Sequence, residues 1–253
     1  MSRDMRKVVA ITGGGSGIGF SFAKRWIADG GKAVLLDISA DNISSAVELL
    51  GGEQNARGIV CDVTSTPSVD AAIQSISESE GRLDAVLNGA GIGRPTPSHL
   101  ITDEDFHGLL DIHLYGALRT SRASYEMLKA SHGSIVNISS VAAISGMPER
   151  ASYCTAKAGI EGLTRTLAVE WAADGIRVNA VAPGYTKTAL TKKLIDEGKL
   201  HEGPIIARTP MRRFAEPEEI AGVIAFLFSS DASYVTGHAL LVDGGMTIDG
   251  NWY

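Results

Sequence analysis

The chain has 253 residues, of which 44% are hydrophobic and 21% are charged, and this balance excludes a disordered or fibrous protein. Its 23 Lys and Arg against 29 Asp and Glu give a net charge of −6, which disfavours binding to nucleic-acid phosphates. No apolar stretch approaches the roughly 18 residues of a membrane span, the N-terminus lacks a signal peptide's apolar segment, and the two cysteines lie outside any metal-binding motif, so we expect a cytoplasmic protein without a metal.

Short β-branched runs alternate with longer amphipathic segments along the whole chain. The runs are apolar throughout, which is typical of strands covered on both faces, and they are Lys7–Thr12, Lys32–Asp37, Arg57–Asp62, Leu83–Asn88, Ser134–Ser139, Arg177–Ala182 and His238–Val242. Helices are predicted between them at Gly17–Asp29, Ser39–Leu50, Thr66–Ser79, Asp103–Ala130, Ser152–Ala173 and Pro217–Ser229. This alternation predicts an α/β fold with a doubly wound, Rossmann-type parallel sheet of about seven strands in one domain over 1–253. The irregular segment Tyr185–Phe214 is expected to form a substrate loop or lid.

A glycine-rich turn, Thr12–Gly19, joins the first strand to the first helix. Glycines let the backbone approach a ligand closely, and the N–H groups at the start of a helix suit a pyrophosphate. Because the turn lies between a strand and a helix, it predicts a dinucleotide site. The expected contacts are Gly13, Ser16, Gly17, Ile18 and Gly19.

Asp37 ends the second strand, about 20 residues beyond the glycines, where an acidic group can bind both ribose hydroxyls. A carboxylate there repels a 2′-phosphate, and no Arg or Lys lies in Gly13–Gly19 or Ile38–Ser45 to attract one. We therefore predict NAD as the cofactor, with Asp37 and Ile38 at its ribose. The alternative is that Asp37 only caps the following helix.

The third and fourth strands end in residues that would lie beside the same cofactor. Asp62 is expected to accept a hydrogen bond from the adenine amino group and Val63 to pack on the ring. Small residues in the Asn88–Gly91 turn, with Asn88, Ala90 and Gly91 as contacts, would admit the cofactor closely. Taken individually, each is also explained as a capping residue or part of a turn.

Tyr153 and Lys157 are four residues apart on a predicted helix and so share one face. A phenol titrates near 10, which is too high for a base at neutral pH, and a neighbouring ammonium lowers that pKa. Ser140, at the end of the fifth strand, can hold a substrate oxygen against the phenol. These three residues are the predicted catalytic group.

Taken together, the chain resembles the short-chain dehydrogenase/reductase family in its common form of about 250 residues. The matching motifs are Thr12–Gly19, Asn88–Gly91, Ser140, Tyr153 with Lys157, Pro183-Gly184 and Asp243–Gly245, in family order and over nearly the whole chain. The resemblance implies a nicotinamide cofactor and interconversion of an alcohol and a carbonyl. It also implies that Tyr153 is the general acid/base, that Lys157 lowers its pKa and binds the nicotinamide ribose, and that Ser140 orients the substrate. The segment that would contact the nicotinamide contributes Pro183, Gly184, Thr186 and Thr188.

One position departs from the family pattern. Members usually carry an Asn that holds a water in a proton relay, whereas this chain reads His113-Leu114-Tyr115-Gly116. His113 would either relay protons itself, since a histidine titrates near neutrality, or merely fill the space.

The substrate is the least determined feature. Candidate pocket segments are Gly93–His99, Ala142–Met147 and Leu190–Phe214 together with Tyr185, and their polar neighbours Arg94, His99 and Glu149 favour a small polyol, sugar or hydroxy acid. An apolar cyclic alcohol or diol is the alternative substrate, and an NAD-binding sensor without catalysis is the alternative function. The resemblance further implies a homotetramer through Ser152–Ala173 and Tyr234–Tyr253, with the aromatic tail Asn251–Tyr253 packed on a neighbouring subunit.

Overall fold

The seven-stranded parallel sheet predicted from the sequence is confirmed by the computed structural model, which describes residues 6–250. The strand order is β3-β2-β1-β4-β5-β6-β7, so the chain winds outward in both directions from β1 and β4. Strand ends differ from the predicted ones by at most two residues. The strands are β1 Val8–Thr12, β2 Lys32–Asp37, β3 Ala56–Val60, β4 Ala85–Asn88, β5 Ser134–Ile138, β6 Arg177–Pro183 and β7 Ala239–Val242.

Helices cover both faces of the sheet, which explains why the strands are apolar at every position. Side chains of α1, α2 and α9 pack on one face, and those of α3, α5 and α6 pack on the other. The helices are α1 Gly17–Ala28, α2 Ala40–Leu49, α3 Thr66–Ser79, α4 Asp103–Leu110, α5 Gly116–Ser131, α6 Ala151–Trp171, α7 Ala189–Asp196, α8 Glu202–Arg208 and α9 Pro217–Phe228. Short 3₁₀ turns lie at Val141–Ala143, Ala172–Asp174 and Ser230–Ala232.

The strand register brings the ends of the central strands to one edge. Thr12 at the end of β1 lies opposite Leu36 of β2 and opposite Asn88 at the end of β4. The sequence order reverses between β1 and β4, and in open α/β sheets ligands bind at such a switch point.

The predicted helix Asp103–Ala130 is interrupted in the structure. A π-helical turn, Asp111–Tyr115, separates α4 from α5 and carries His113, which is only 5% exposed. π-helical turns often occur at functional sites, and this one contributes two residues to the cavity described below, Ile112 and His113.

The segment predicted as an irregular substrate loop, Tyr185–Phe214, contains two short helices, α7 and α8. Each presents few buried side chains, with Leu194 buried on α7 and none buried on α8, so the sequence carries no apolar stripe that would reveal them. Across residues 6–250, no helix combines the length and the apolar character needed to cross a bilayer. The aromatic tail at 251–253, expected to pack on a neighbouring subunit, lies outside the described residues.

Candidate active site

A cavity of about 630 Å³ opens at the carboxyl edge of the sheet. Its size falls in the range of small-molecule and cofactor sites, about 300 to 1,000 Å³. The glycine turn lines one part of the cavity and Tyr153 lines another, so the predicted cofactor and catalytic residues share one space. The predicted contacts that line it are Gly13, Ser16, Gly17, Ile18, Gly19, Asp37, Ile38, Asp62, Val63, Ala90, Gly91, His113, Ser140, Tyr153, Lys157, Pro183, Gly184, Thr186 and Thr188.

The glycine turn has the backbone shape that a pyrophosphate cradle requires. Gly13 and Gly17 have φ values of +68° and +56°, in a region of backbone conformation that residues other than glycine rarely adopt. A Cβ atom on Gly19 would lie 2.5 Å from the carbonyl oxygen of Gly13, so only glycine allows this close approach. The Ser16 hydroxyl does not cap α1, which leaves the first N–H groups of that helix without a side-chain partner. These features fit a nicotinamide dinucleotide held by its pyrophosphate.

Asp37 lies beside the glycine turn at the end of β2. Its carboxylate accepts hydrogen bonds from the backbone N–H groups of Gly15 and Ser39, each at 3.1 Å. The cap of α2 is Ser39, whose hydroxyl accepts from Asn42 at 3.2 Å, so Asp37 is not the N-cap of this helix. Neither Arg nor Lys is found among the cavity-lining residues next to Asp37, which are Leu36, Ile38 and Asn42.

Asp62 and Val63 follow β3 and line the same end of the cavity. One oxygen of Asp62 accepts from both the backbone N–H and the hydroxyl of Thr64, at 2.9 and 2.7 Å. The Val63 carbonyl accepts from Arg119 at 3.1 Å. These bonds fix the turn, and both of them use the same oxygen of Asp62, so that its second oxygen can accept a hydrogen bond from a ligand.

The side chain of Asn88, by contrast, does not line the cavity as predicted. Its amide nitrogen donates to Asn137 at 2.8 Å and to Ser121 at 3.0 Å in the buried interior. Asn137 in turn donates to the Thr164 hydroxyl on α6 at 2.9 Å. Asn88 therefore links β4 to β5 and α6, while Gly89–Gly91 after it reach the cavity.

Ser140, Tyr153 and Lys157 come together in the cavity. Ser140 follows β5, and its side chain is hydrogen-bonded to that of Tyr153 near the start of α6. The Lys157 ammonium nitrogen lies 5.6 Å from the centre of the Tyr153 ring and donates to the carbonyl of Ile138 at 2.6 Å. The helical spacing that predicted a shared face thus brings the phenol, the ammonium and the serine hydroxyl together.

Burial dominates the electrostatics of this group, and the expectation that Lys157 lowers the pKa of Tyr153 stays a prediction. Burial raises the pKa of the Tyr153 phenol, and the hydrogen bond with Ser140 and the positive charge of Arg150 oppose that shift. Burial also lowers the pKa of Lys157 to about 7, so the amine itself is only partly charged at neutral pH. The cation that acts on the phenol in the structure is Arg150.

His113 packs edge-on against Tyr153, with the ring centres 5.4 Å apart. Its Nε2 lies 2.9 Å from the carbonyl oxygen and 3.1 Å from the backbone nitrogen of Ile92, and its Nδ1 has no partner among the described residues. Burial, together with the charge of Lys157, lowers the pKa of His113 to about 3. A ring with so low a pKa is neutral near pH 7, and a part for His113 in a proton relay stays a prediction.

Beyond β6, the predicted nicotinamide segment also lines the cavity. The Thr186 hydroxyl donates to the Gly184 carbonyl at 3.3 Å, and the Thr188 hydroxyl accepts from the Thr191 N–H at 3.2 Å, which caps α7. A Cβ atom on Gly184 would lie 2.9 Å from the Asp243 Cα, so the strand end packs directly on the Asp243–Gly245 turn.

The substrate end of the cavity contains residues that the sequence did not single out. Of the polar candidates, Tyr185 lines the cavity, whereas Arg94, His99 and Glu149 do not. Arg94 pairs with Asp105 at the surface. Met147, Leu190, Leu194 and Leu200 also line the cavity and fall within the pocket segments predicted from the sequence, whereas Ile92 and Arg150 were missed. Only Arg150 carried a signal, since it precedes Tyr153 by less than one helical turn.

Comparison with known proteins gives matches over nearly the whole chain. Residues 13–247 match a family model described as enoyl-(acyl carrier protein) reductase. The chain is 37% identical to a 3-oxoacyl-[acyl-carrier-protein] reductase of Thermotoga maritima, covering 96% of this chain and 98% of the relative. It is 36% identical to D-threitol dehydrogenase of Mycolicibacterium smegmatis, covering 96% and 93%. Among solved structures, levodione reductase superposes with a TM-score of 0.90 at 34% identity, over 96% of this chain and 98% of that one.

Proposed function

The chain belongs to the short-chain dehydrogenase/reductase family, and we propose that it is an NAD-dependent oxidoreductase that interconverts a secondary alcohol and a carbonyl on a small polar substrate. The single observation that carries this proposal is the position of Ser140, Tyr153 and Lys157 in the same cavity as the glycine turn. A sensor that only binds NAD has no need of such a group. We also propose one domain over 1–253, with 185–214 as its substrate loop.

The residues of the chain supply positioning and proton transfer. Ser140 donates a hydrogen bond to the substrate oxygen, and the Tyr153 oxygen takes the hydroxyl proton during oxidation and returns it during reduction. Bound NAD supplies the hydride acceptor, so that the substrate C–H bond breaks with its electron pair and the alcohol is oxidised by two electrons. Lys157, whose pKa burial lowers to about 7, is placed beside the phenol to exchange protons at neutral pH.

Asp37 supports the preference for NAD. Its carboxylate is fixed by two backbone N–H groups beside the glycine turn, and the lining around it offers no cation to a 2′-phosphate. A carboxylate so placed accepts bonds from ribose hydroxyls and repels a phosphate in their place.

A homotetramer is part of the proposal. Membership of the family supports it, and the exposed apolar side chains of Val169 on α6 and of Tyr234 are available for such a contact.

The function is tested by assaying secondary alcohols with NAD⁺ and following NADH absorbance. Wild type is expected to oxidise at least one alcohol, and Tyr153→Phe to lower its kcat by about 10² to 10⁴, the usual contribution of general acid/base catalysis, while NADH binding persists. Tyr125→Phe is the matched control, since Tyr125 donates to Asp174 at 2.6 Å and does not line the cavity. Near-normal turnover by Tyr153→Phe would refute the role of the phenol. NAD binding without turnover of any alcohol would favour the sensor.

A further inference from the structure

We propose that the substrate carries a carboxylate close to its reacting carbon and that Arg150 binds this group. The inference rests on the proposed function and deepens it by naming a substrate class, the hydroxy acids and their keto counterparts.

Arg150 is placed to contact a substrate bound at Tyr153. It immediately precedes α6, three residues before Tyr153, and lines the cavity as a half-buried side chain. A Cβ atom built on Gly93 would lie 3.7 Å from a terminal nitrogen of the guanidinium, so the side chain extends toward the segment that follows β4. Its charge acts on the pKa of two phenols, Tyr153 and Tyr185, which places it within electrostatic reach of the reacting group.

The guanidinium of Arg150 forms neither a hydrogen bond nor an ion pair within the part of the chain that the structure describes. Other arginines of comparable exposure are paired: Arg57 binds Glu80 at 2.7 Å and Arg119 binds Asp111 at 2.7 Å. A half-buried cation without a partner is costly, and a planar guanidinium matches a carboxylate with two parallel hydrogen bonds.

No carboxylate at the substrate end competes for Arg150. The acidic residues that line the cavity are Asp37 and Asp62, which follow β2 and β3. Ser140 follows β5, and the sheet order places three strand spacings between β2 and β5, about 14 Å. This separation is several times the roughly 4 Å reach of an ion pair, so neither strand end brings a carboxylate into contact with a cation at the substrate end. A second cation, Arg208, also lowers the pKa of Tyr185 and adds to the positive charge there.

The remaining lining residues limit the rest of the substrate. Met147, Leu190, Leu194 and Leu200 are apolar and surround the same end of the cavity. They favour a hydrocarbon body between the hydroxyl and the charged group, rather than a sugar with hydroxyls along its length. An aliphatic hydroxy acid satisfies both the cation and the apolar wall.

The test compares hydroxy acids that carry the hydroxyl on the second, third or fourth carbon with their primary amides. Hydrogen bonds to charged groups are worth enough to give about a 10- to 100-fold preference, and we expect wild type to show this preference for the acid in kcat/KM. Because Arg150 also acts on the Tyr153 phenol, the readout is the ratio of kcat/KM for the acid over the amide: Arg150→Gln should bring this ratio close to one, whatever it does to turnover of both substrates, and Arg150→Lys should restore part of the preference. Arg94→Gln, which alters an arginine outside the cavity, is the matched control and should keep the full preference.

A binding measurement separates this inference from the proposed function. Calorimetric titration of butyrate into the NADH-loaded protein should show binding that Arg150→Gln weakens at least tenfold, whether or not any alcohol is turned over. Should Arg150→Gln fail to fold, wild type alone decides, since butyrate should bind at least tenfold more tightly than butyramide. Equal binding of the two, or an Arg150→Gln variant that keeps the acid preference, would overturn the inference. If wild type binds butyrate but oxidises no alcohol with NAD⁺, the proposed function is overturned and the inference about Arg150 stands.

Discussion

Replacing His113 with Asn is expected to reduce the loss in free energy of unfolding as the pH falls from 7 to 5. The folded-state pKa of His113 is about 3, against 6.5 for a free histidine. Below pH 6.5, His113 therefore binds a proton in the unfolded chain but not in the folded chain, and the free energy of unfolding falls as the pH falls from 6.5 toward 3. At 1.36 kcal/mol per pH unit, this histidine alone removes about 2 kcal/mol of the free energy of unfolding between pH 7 and pH 5.

The other strongly shifted groups act in different pH windows. Lys157, with its pKa lowered from 10.5 to about 7, destabilises the fold as the pH falls from 10.5 to 7 and adds little below that. Glu219, with its pKa lowered from 4.5 to about 2 by Arg213, contributes stability that is lost only below pH 4.5. The interval from pH 7 to pH 5 thus isolates His113 from both.

Urea unfolding at pH 7, 6 and 5, followed by circular dichroism, measures the effect. The decline for His113→Asn should be smaller than for wild type by about 2 kcal/mol, and His107→Asn, which changes an exposed histidine on α4, should behave as wild type. Parallel declines for wild type and His113→Asn would show that the buried ring titrates normally and would refute the reasoning. The same variant should leave the inflections of the pH–rate profile between pH 5 and 8 in place, since a neutral ring does not titrate there.

Three further predictions concern the cofactor end of the site and the buried polar network of Asn88. The double substitution Asp37→Ala with Ile38→Arg, at a position where Ile38 is 71% exposed, should raise the ratio of kcat/KM for NADP over NAD by about 100-fold, because a carboxylate is lost and a cation is gained. An unchanged ratio in steady-state assays would contradict this prediction. Gly19→Ala should weaken NADH binding at least tenfold in a fluorescence titration, because the new Cβ atom would lie 2.5 Å from the Gly13 carbonyl oxygen. Gly222→Ala is the control and should bind NADH normally, because its Cβ atom would have no neighbour within 4 Å. Asn88→Leu should lower the free energy of unfolding by about 2 to 4 kcal/mol in urea titration, because it strands polar partners in the interior; a cost below 1 kcal/mol would mean that the network relaxes.

The sheet and the cofactor cradle could be predicted from the sequence because their signals are local. Each strand is a continuous apolar run, and the glycine turn lies between a strand and a helix. Likewise, the four-residue spacing of Tyr153 and Lys157 is sufficient to place them on one face of α6.

Features that depend on contacts between distant segments could not be predicted from the sequence. Asn88 was assigned to the cofactor because its neighbours are small, whereas its partners Ser121 and Asn137 come from elements far along the chain. The pKa of His113 follows from burial in a π-helical turn, and an apolar pattern predicts a regular helix there instead. Arg150 became visible only when the cavity showed which cation lacks a partner.

The buried hydrogen-bond network that runs from Asn88 through Asn137 to the Thr164 hydroxyl bears on which substitutions the protein can accept. It connects β4, which leads to Gly89–Gly91, to α6, which carries Tyr153, and none of these three side chains lines the cavity. The positions proposed to contact the substrate, such as Arg150 and Leu190, line other parts of the cavity. In the proposed mechanism, substitutions at those cavity positions can therefore change the substrate while the position of Tyr153 relative to the Gly89–Gly91 turn stays unaltered.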